Sequence, residues 1–351
     1  MDIRTMHILI GEKELSELQK NVWSDKFEPA QLVSQDKKEP VKIRIRGGHT
    51  REYPKKSYEI VRNGKTYHYN AETDDPSMIR NALSFRFFEI IGVPCPKTRH
   101  CLMKINGKSH GLYLEIEGVD RIFFRKRGIG VRSLMYASND LADFSLLHPD
   151  TGRRKASLFQ GYTLKIGNEA DRTHWKSFIL KLNTLKGPRL GRYLKQRLHI
   201  DNYLRWLAGA VLTGNYDGFE QNYAIFRHKP SNKYWISPWD YEGTWGRNCY
   251  GKKVDSDLVR VTGYNKLTKM LLSFPPIRKR YKKILHDLLN RHFTLKKIEP
   301  MVQDMYQSIA PHIYRDTTRK WSSSVFDGEP QIIRDYIIER RNIVAEELKK
   351  L

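Results

Sequence analysis

The segment from Gly214 to Glu242 constrains the fold of this chain more than any other stretch, because it encodes a helix end, a loop and a hairpin in succession. Before it, residues 201–213 predict a helix with a single buried apolar stripe. Asp217 and Asn222 are five residues apart, a spacing that would place them on different faces of a continuous helix. The glycines and asparagines around them instead indicate a loop, in which both side chains can converge.

The residues after Asn222 predict a β-hairpin that returns a second carboxylate to this loop. Two runs rich in β-branched and aromatic residues, 223–227 and 233–237, flank a turn that contains proline and serine. A hairpin that pivots between that proline and serine pairs Asn222 with Trp239. Asp240 is then one residue away, so we expect the Asn222 and Asp240 side chains to lie together.

Asp217, Asn222 and Asp240 have the chemistry of a phosphoryl-transfer site. An amide oxygen beside a carboxylate suits Mg²⁺, or Mn²⁺ in its place, so we assign Asn222 and Asp240 as metal ligands. Asp217 beside that metal could orient or deprotonate a hydroxyl, which makes it the candidate catalytic residue. Their order matches a protein-kinase catalytic loop followed by a metal-binding aspartate. Each of the three residues alone is equally typical of a turn or a helix cap.

The first third of the chain predicts strands that present a phosphate-binding tip. Residues 41–46 and 56–61 alternate strictly between apolar and polar side chains, which indicates two paired strands. Gly47 and Gly48 follow the first of them, and glycine lets a backbone approach a ligand closely. We therefore select Arg46, Gly47 and Gly48 as cofactor-binding residues.

A lysine of this region is a candidate for the cation that neutralises nucleotide phosphates. Lys56 shares a strand face with Tyr58 and Ile60, and a lysine turned toward the core needs an anionic partner. This favours Lys56 over Lys55, and the alternative is that both lysines are exposed. Glu89, on the main helix predicted for this region, is a candidate ion-pair partner.

Aromatic residues crowd the second aspartate of the site. Trp239, Tyr241 and Trp245 lie within a few positions of Asp240. One of these rings could stack on adenine, and we select Trp245 for that role. The alternative is that all three rings support the site from the hydrophobic core.

The order of predicted elements indicates an α+β fold with two lobes. Residues 1–118 are strand-rich with one main helix, and residues 119–351 are mainly helical and carry the acidic site. A small β-rich N-lobe followed by a larger helical C-lobe is the plan of an atypical bilobal protein-kinase-like fold. A nucleotide would then lie in the crevice between the lobes.

Composition limits the classes of partner. The net charge of +24 is compatible with a nucleic-acid binder, with phosphate-bearing ligands or with a charged assembly. No recognisable nucleic-acid-binding module accompanies the cations, so we do not expect direct nucleic-acid binding. The chain has no apolar run near the ~20 residues of a membrane helix, and its start lacks a signal-peptide core. We therefore expect a cytoplasmic chain that does not enter a membrane.

Several segments, taken in order, resemble the spore coat protein H (CotH) kinase family. They are Ile43-Arg44-Ile45-Arg46-Gly47-Gly48, Pro54-Lys55-Lys56-Ser57-Tyr58, Ile79-Arg80-Asn81, Ile105-Asn106-Gly107 with Gly111-Leu112-Tyr113-Leu114-Glu115, Gly214-Asn215-Tyr216-Asp217 with Asn222, and Pro238-Trp239-Asp240-Tyr241. Each motif is only moderately specific. Their shared order across about residues 41–245 is much more so.

The resemblance implies a kinase that uses ATP and Mg²⁺ to phosphorylate serines on serine-rich spore coat proteins. It implies a role in outer coat assembly and germination, with synthesis in the mother cell and incorporation into the spore coat. By position, Asp217 matches the family's catalytic aspartate, while Asn222 and Asp240 match its metal ligands. We carry Lys56 over as the phosphate-contacting lysine.

The motifs around the acidic site differ from those of ordinary protein kinases. Tyr216 rather than arginine precedes Asp217, and Tyr241 follows Asp240 where ordinary kinases have phenylalanine. Switching by phosphorylation of an activation loop is therefore not expected.

Two other functions are compatible with these residues. The same acidic residues would suit a Mg²⁺-dependent phosphohydrolase, and a catalytically degenerate scaffold could assemble the coat through its basic surface.

Overall fold

The computed structural model describes residues 3–34 and 37–351, and over these ranges the chain has an α+β fold. The strands are β1 (Thr5–Leu9), β2 (Glu28–Ser34), β3 (Lys37–Arg46), β4 (Ser57–Arg62), β5 (Lys65–Asn70), β6 (Thr98–Ile105), β7 (Lys108–Glu117), β8 (Val131–Ala137), β9 (Tyr162–Ile166), β10 (Tyr223–His228) and β11 (Tyr234–Pro238). The helices are α1 (Glu12–Lys20), α2 (Arg80–Ile90), α3 (Arg121–Lys126), α4 (Glu169–Thr184), α5 (Gly187–Arg197), α6 (Ile200–Thr213), α7 (Lys266–Leu272), α8 (Pro275–Arg291), α9 (Leu295–Ile313), α10 (Ser323–Asp327) and α11 (Glu329–Lys350). Among the helices in these ranges, none has both the length and the apolar character that crossing a bilayer requires.

The first seven strands close into a barrel in the order β1-β2-β3-β4-β5-β7-β6, with a parallel pairing of β1 and β6 at the closure. Strand alternation explains how the barrel is filled. On β3, the side chains of Val41, Ile43 and Ile45 are buried in the barrel core. Arg44 and Arg46 alternate with them, so these cations lie on the outer face of the barrel.

The remaining strands form a four-stranded sheet in the order β11-β10-β8-β9. The β10–β11 hairpin pairs Tyr223 with Pro238, and the backbone N–H of Trp239 donates to the carbonyl of Asn222 at 3.1 Å. The predicted register is therefore confirmed. Asn222 and Asp240 meet at the end of this sheet that faces the barrel, where both line the same two cavities together with barrel residues.

Helix α2 connects the barrel to the helical part of the molecule. It begins at Arg80, where the Asp75 side chain accepts the backbone N–H groups of Ser77 and Arg80 at 2.9 Å each and turns the chain. Its apolar side chains belong to the same core as those of α6. A Cβ atom at Gly209 of α6 would collide with the ring of Phe88, so this glycine permits the two helices to approach closely.

A buried ion network fixes the segment that follows β11 against α2 and α11. The fully buried Arg80 pairs with Asp75 at 2.7 Å and with Glu329 at 2.6 Å. Its Nε donates to the carbonyl of Thr244 at 2.8 Å, and Glu329 also pairs with Arg247. A buried charge without a partner is costly, so each member of the network depends on the others.

Substitution of Arg80 tests this network. We expect Arg80→Met to lower the free energy of unfolding by about 3–5 kcal/mol, because it leaves the carboxylates of Asp75 and Glu329 buried without their shared partner. The matched control is Arg86→Met on the same helix, where an exposed pair with Glu89 should contribute less than about 1 kcal/mol. Urea unfolding measures both changes, and equal stability of the two variants would contradict the assignment.

Candidate active site

Two adjoining cavities lie between the barrel and the four-stranded sheet. The mixed-charge cavity, of about 570 Å³, has aromatic walls at Tyr136 and Trp239 and is lined by cations and carboxylates in equal number. These are Arg44, Arg46, Arg51 and Lys165 against Asp25, Glu59, Asp120 and Asp240, and Arg44 and Arg51 pair with Asp25 and Glu59. The acidic cavity, of about 300 Å³, is lined by the carboxylates of Glu72, Asp74, Asp217, Asp240 and Glu242. The residues common to both are Arg46, Gly47, Gly48, Ser138, Asn222 and Asp240. An elongated ligand could therefore extend from the mixed-charge cavity into the acidic one past Asn222 and Asp240.

The two predicted metal ligands occupy an unusual backbone conformation. Asn222 has φ of 59° and Asp240 has φ of 60°, so both residues are left-handed. This region is sparsely populated by side-chain-bearing residues, although asparagine and aspartate tolerate it best. Asn222 precedes the paired residues of the hairpin by one position, and Asp240 follows them by two. The left-handed residues therefore lie where the strands end. Such strain is frequent at functional sites.

Asp217 lies in a short 3-10 turn, Tyr216–Gly218, directly after the end of α6. Helix α6 ends because Gly214 adopts a left-handed conformation, with φ of 74°. The Asn215 side chain donates to the carbonyl of Asp240 at 3.4 Å, which ties the loop to the hairpin. A loop is therefore present where the sequence predicts one, and it places Asp217 on the wall of the acidic cavity.

The carboxylates of the acidic cavity perturb one another. Burial raises the pKa of Glu72 to about 8, and the negative charges of Asp75 and Asp240 add to that effect. Burial, followed by the charge of Asp240, raises the pKa of Glu242 well above its ordinary value. The Asn81 side chain donates to Glu72 at 3.1 Å and to Glu242 at 3.3 Å, which offsets only part of the repulsion.

A divalent cation fits this donor set. Carboxylate and amide oxygens are hard ligands of the kind that Mg²⁺ prefers, and a cation would relieve the crowding of negative charge around Asp240. Within residues 3–34 and 37–351, no group of three His, Cys, Asp or Glu side chains is arranged as a metal site. Asn222 and Asp240 would therefore need further oxygens from water or from a phosphate-bearing ligand, as is usual for Mg²⁺.

The predicted phosphate-binding tip is at the boundary of the two cavities. Gly47 has φ of 116°, and a Cβ atom there would collide with the Thr50 hydroxyl, so the position requires glycine. The Arg46 guanidinium donates to the Asn70 side chain and lies 5.6 Å from the centre of the Trp239 ring. Arg46 forms no ion pair with a carboxylate in the described part of the chain.

Lys56 does not reach either cavity. Its Nζ donates to the carbonyl of Arg51 at 2.7 Å. Lys56 lines a separate depression at an opening of the barrel. β4 begins one residue after Lys56, so the strand alternation used to orient this lysine does not extend to it. Lys55 is the buried one, paired with Asp316 at 3.2 Å, and Glu89 lies exposed on α2.

The structure also separates Trp245 from the cavities. Its ring is fully buried, stacks on Phe293 at 5.7 Å between centroids, and donates from Nε1 to the Ser84 hydroxyl at 2.9 Å. It supports the segment after β11 from the core. The aromatic wall of the mixed-charge cavity is formed instead by Trp239, with His68 at 5.0 Å between ring centroids as one of its neighbours.

Some residues of the site were not identified from the sequence. Glu72 lines the acidic cavity, and the Asn81 side-chain oxygen accepts the backbone N–H of Tyr241, after β11, at 2.6 Å. Asn81 belongs to a motif noted above, but its partner is 160 positions away. Cys249 also lines the acidic cavity, and burial and the neighbouring Asp217 carboxylate raise the pKa of its thiol.

Comparison with known proteins agrees with the motifs. The family described as CotH kinase protein matches residues 43–344. The chain is 38% identical to the Inner spore coat protein H of Bacillus subtilis, over 98% of this chain and 97% of that protein. The chain therefore belongs to the CotH kinase protein family, which confirms the resemblance.

Two further proteins are similar to the chain. The Inner spore coat protein H-like protein of Bacillus subtilis is 27% identical, over 85% of this chain and 87% of that protein. The crystal structure of the Helicobacter pylori proinflammatory kinase CtkA shares 11% identity at a TM-score of 0.35, and the comparison covers 83% of this chain and 94% of that chain.

The raised pKa of Glu72 predicts a dependence of stability on pH. Between its ordinary pKa of 4.5 and its folded value of about 8, the folded state keeps a proton that the unfolded state releases. Without divalent cations, stability should fall as pH rises through this window, by about 1.4 kcal/mol per pH unit from this group. We expect Glu72→Gln to lose that part of the dependence when urea unfolding is measured at pH 6 and pH 8. The exposed control Glu89→Gln should keep the wild-type slope, and parallel profiles for all three proteins would refute the prediction.

Proposed function

We propose that this protein is an ATP- and Mg²⁺-dependent protein serine kinase that phosphorylates spore coat proteins. One observation carries the proposal: Asn222 and Asp240 lie at the boundary between a mixed-charge, partly aromatic cavity and an acidic cavity that contains Asp217. A kinase needs this sequence of environments for a base, for metal-bound phosphates and for a hydroxyl acceptor. Membership of the CotH kinase protein family supports the same conclusion.

ATP would lie with its base in the mixed-charge cavity and its phosphates at the shared boundary. Burial, followed by the charge of Arg46, lowers the pKa of His68 well below its ordinary value, so its imidazole is neutral. Its Nδ1 has no hydrogen-bond partner in the described residues and could bind a base edge beside Trp239. Arg46 and the glycine tip would contact phosphate oxygens.

Mg²⁺ would be held by Asn222 and Asp240, and when bound it neutralises negative charge on the phosphates. Asp217 would orient the serine hydroxyl in the acidic cavity and accept its proton as the hydroxyl oxygen bonds to the γ-phosphorus. The bond from that phosphorus to the bridging oxygen of ADP breaks in the same transfer. The carboxylates around Asp217 favour acceptor serines in basic surroundings.

The spore coat as the place of action rests on the relatives, since both Bacillus subtilis proteins carry that term in their names. We propose that the protein is made in the mother cell, joins the coat, and contributes to outer coat assembly and germination. Phosphorylation would add about −1.5 to −2 charges per serine to a basic coat protein and so create new ionic contacts between coat components.

Phosphotransfer tests the proposal directly. The protein is incubated with γ-labelled ATP, Mg²⁺ or Mn²⁺, and a serine-rich basic coat protein. We expect label on serine, and a loss on the order of 10²–10⁴-fold in Asp217→Ala if proton transfer is the main contribution of that carboxylate. Asp240→Asn should nearly abolish transfer by weakening metal binding. The control Asp304→Ala removes an exposed carboxylate on α9 and should leave transfer unchanged.

The same assay distinguishes the competing functions. Release of free phosphate without labelled protein would identify a phosphohydrolase. Absence of both products would identify a non-catalytic scaffold. Undiminished transfer by Asp217→Ala and Asp240→Asn would remove these residues from the mechanism.

The cation that contacts the phosphates is tested by a pair of variants. Among the residues that the structure describes, Arg46 has no carboxylate partner. It lies at the cavity boundary, whereas Lys56 lies at the barrel opening. We expect Arg46→Met to raise the KM for ATP by about 10-fold or more, since a charge-assisted hydrogen bond is lost. Lys56→Met should leave that KM close to the wild-type value. A larger effect of Lys56→Met would instead favour the lysine.

A further inference from the structure

A third cavity, of about 540 Å³, lies at the opposite end of the four-stranded sheet from the candidate active site. We call it the arginine cavity, because Arg121 of α3, Arg132 of β8 and Arg227 of β10 line it together with the start of α4. Arg227 is five residues beyond Asn222, which directly precedes β10, a distance of roughly 17 Å at ~3.4 Å per residue. The cavity is therefore separate from the predicted metal ligands.

Arg227 is the recessed cation of this cavity. It is 4% exposed, and its Nη2 pairs with the Asp171 carboxylate at 2.5 Å. Its Nε is buried and has no hydrogen-bond partner in the described part of the chain. A buried N–H without an acceptor is costly, so a ligand oxygen entering the cavity would satisfy a group that the protein leaves unpaired.

The two other arginines form the rim. Arg121 and Arg132 are exposed, and neither forms an ion pair or a side-chain hydrogen bond within residues 3–34 and 37–351. Three arginines line the cavity against one carboxylate, that of Asp171, which leaves two positive charges in excess. Both Asp171 oxygens are engaged, one by Arg227 and the other by the backbone N–H of Asn168 at 3.1 Å.

The groups around the three arginines add positive potential to the cavity but no further hydrogen-bond donors. Burial, followed by the charges of Arg227 and Arg197, lowers the pKa of His174 to about 4, so this imidazole is neutral near pH 7. The Asn168 side chain caps the first turn of α4 by accepting the backbone N–H of Ala170 at 3.1 Å. The helix dipole adds positive potential, and the arginines supply the hydrogen bonds.

We propose that Arg121, Arg132 and Arg227 bind the phosphate of a phosphorylated serine on a protein partner. Planar guanidinium groups match phosphate oxygens in a bidentate manner. One recessed arginine with two at the rim suits a single phosphate group at the end of a side chain, rather than the continuous phosphate row of a nucleic acid. The assignment of phosphoserine as the source rests on the proposed kinase function, because that reaction generates it.

The site would let the kinase engage coat proteins that are already phosphorylated. The distance of roughly 17 Å along β10 equals about five extended residues, which is a lower limit for the chain that connects a docked phosphoserine to an acceptor serine. A phosphorylated substrate would therefore be retained near the acidic cavity after the first transfer. Transfer to an unphosphorylated substrate would not need the site.

Binding of a fluorescent serine-rich peptide, with and without one phosphoserine, tests the proposal by anisotropy in the absence of ATP. The proteins compared are the wild type, Arg121→Glu, Arg132→Glu and Asp217→Ala. Arg192→Glu is the matched control, because Arg192 is an exposed arginine on α5 outside the cavity. We expect the phosphopeptide to bind at least about 10-fold more tightly than the plain peptide, and either rim variant to weaken it about 10-fold or more.

Other outcomes identify what would be wrong. Equal binding of the two peptides, or equal weakening by Arg192→Glu, would overturn the proposal in favour of non-specific charge attraction. Inorganic phosphate that competes as strongly as the phosphopeptide would overturn phosphoserine as the ligand in favour of the free ion. Intact phosphopeptide binding by Asp217→Ala supports a separate site. Failure of this binding with normal label transfer by the wild type would leave the kinase function standing.

Discussion

The buried charge network around Arg80 is the interaction on which the candidate site depends. Arg80 binds two carboxylates and the carbonyl of Thr244, so helix α2 holds the segment that follows β11. The next residue, Asn81, accepts the backbone N–H of Tyr241 and donates to carboxylates on both sides. Two consecutive residues of one helix thereby position the chain next to Asp240. Because these charges are excluded from water, removal of one leaves another buried without its partner.

The site itself combines opposite charges over a short distance. Arg46 and the glycine tip lie on one side of Asp240, while the buried carboxyl groups of Glu72 and Glu242 lie on the other. Burial makes each of these carboxylates harder to ionise, and their mutual repulsion adds to that cost. A bound cation and a phosphate-bearing ligand would offset both effects. The left-handed conformations at Asn222 and Asp240 are further strain at the same place.

Much of the local structure followed from short-range patterns. The hairpin register was predictable because two strands joined by a short turn can pair in few ways, and Trp239 does bond to Asn222. The α+β order and the helices after β9 followed from hydrophobic periodicity, and the loop at Asp217 followed from its glycines. The orientation of Lys56 could not be predicted in this way, because alternation orients a side chain only within a strand and β4 begins after Lys56.

The sequence by itself determined the ordered motifs that place the chain in its family, together with the loop and hairpin that unite Asn222 with Asp240. These features depend on residues that are neighbours in the chain or are joined by one turn. The tertiary structure alone decided that Trp245 is a core residue and that Arg46 rather than Lys56 faces the site. It also decided that a third cavity, the arginine cavity, exists. Such outcomes depend on which distant surfaces pack together, and packing brings residues as far apart as Asn81 and Tyr241 into contact.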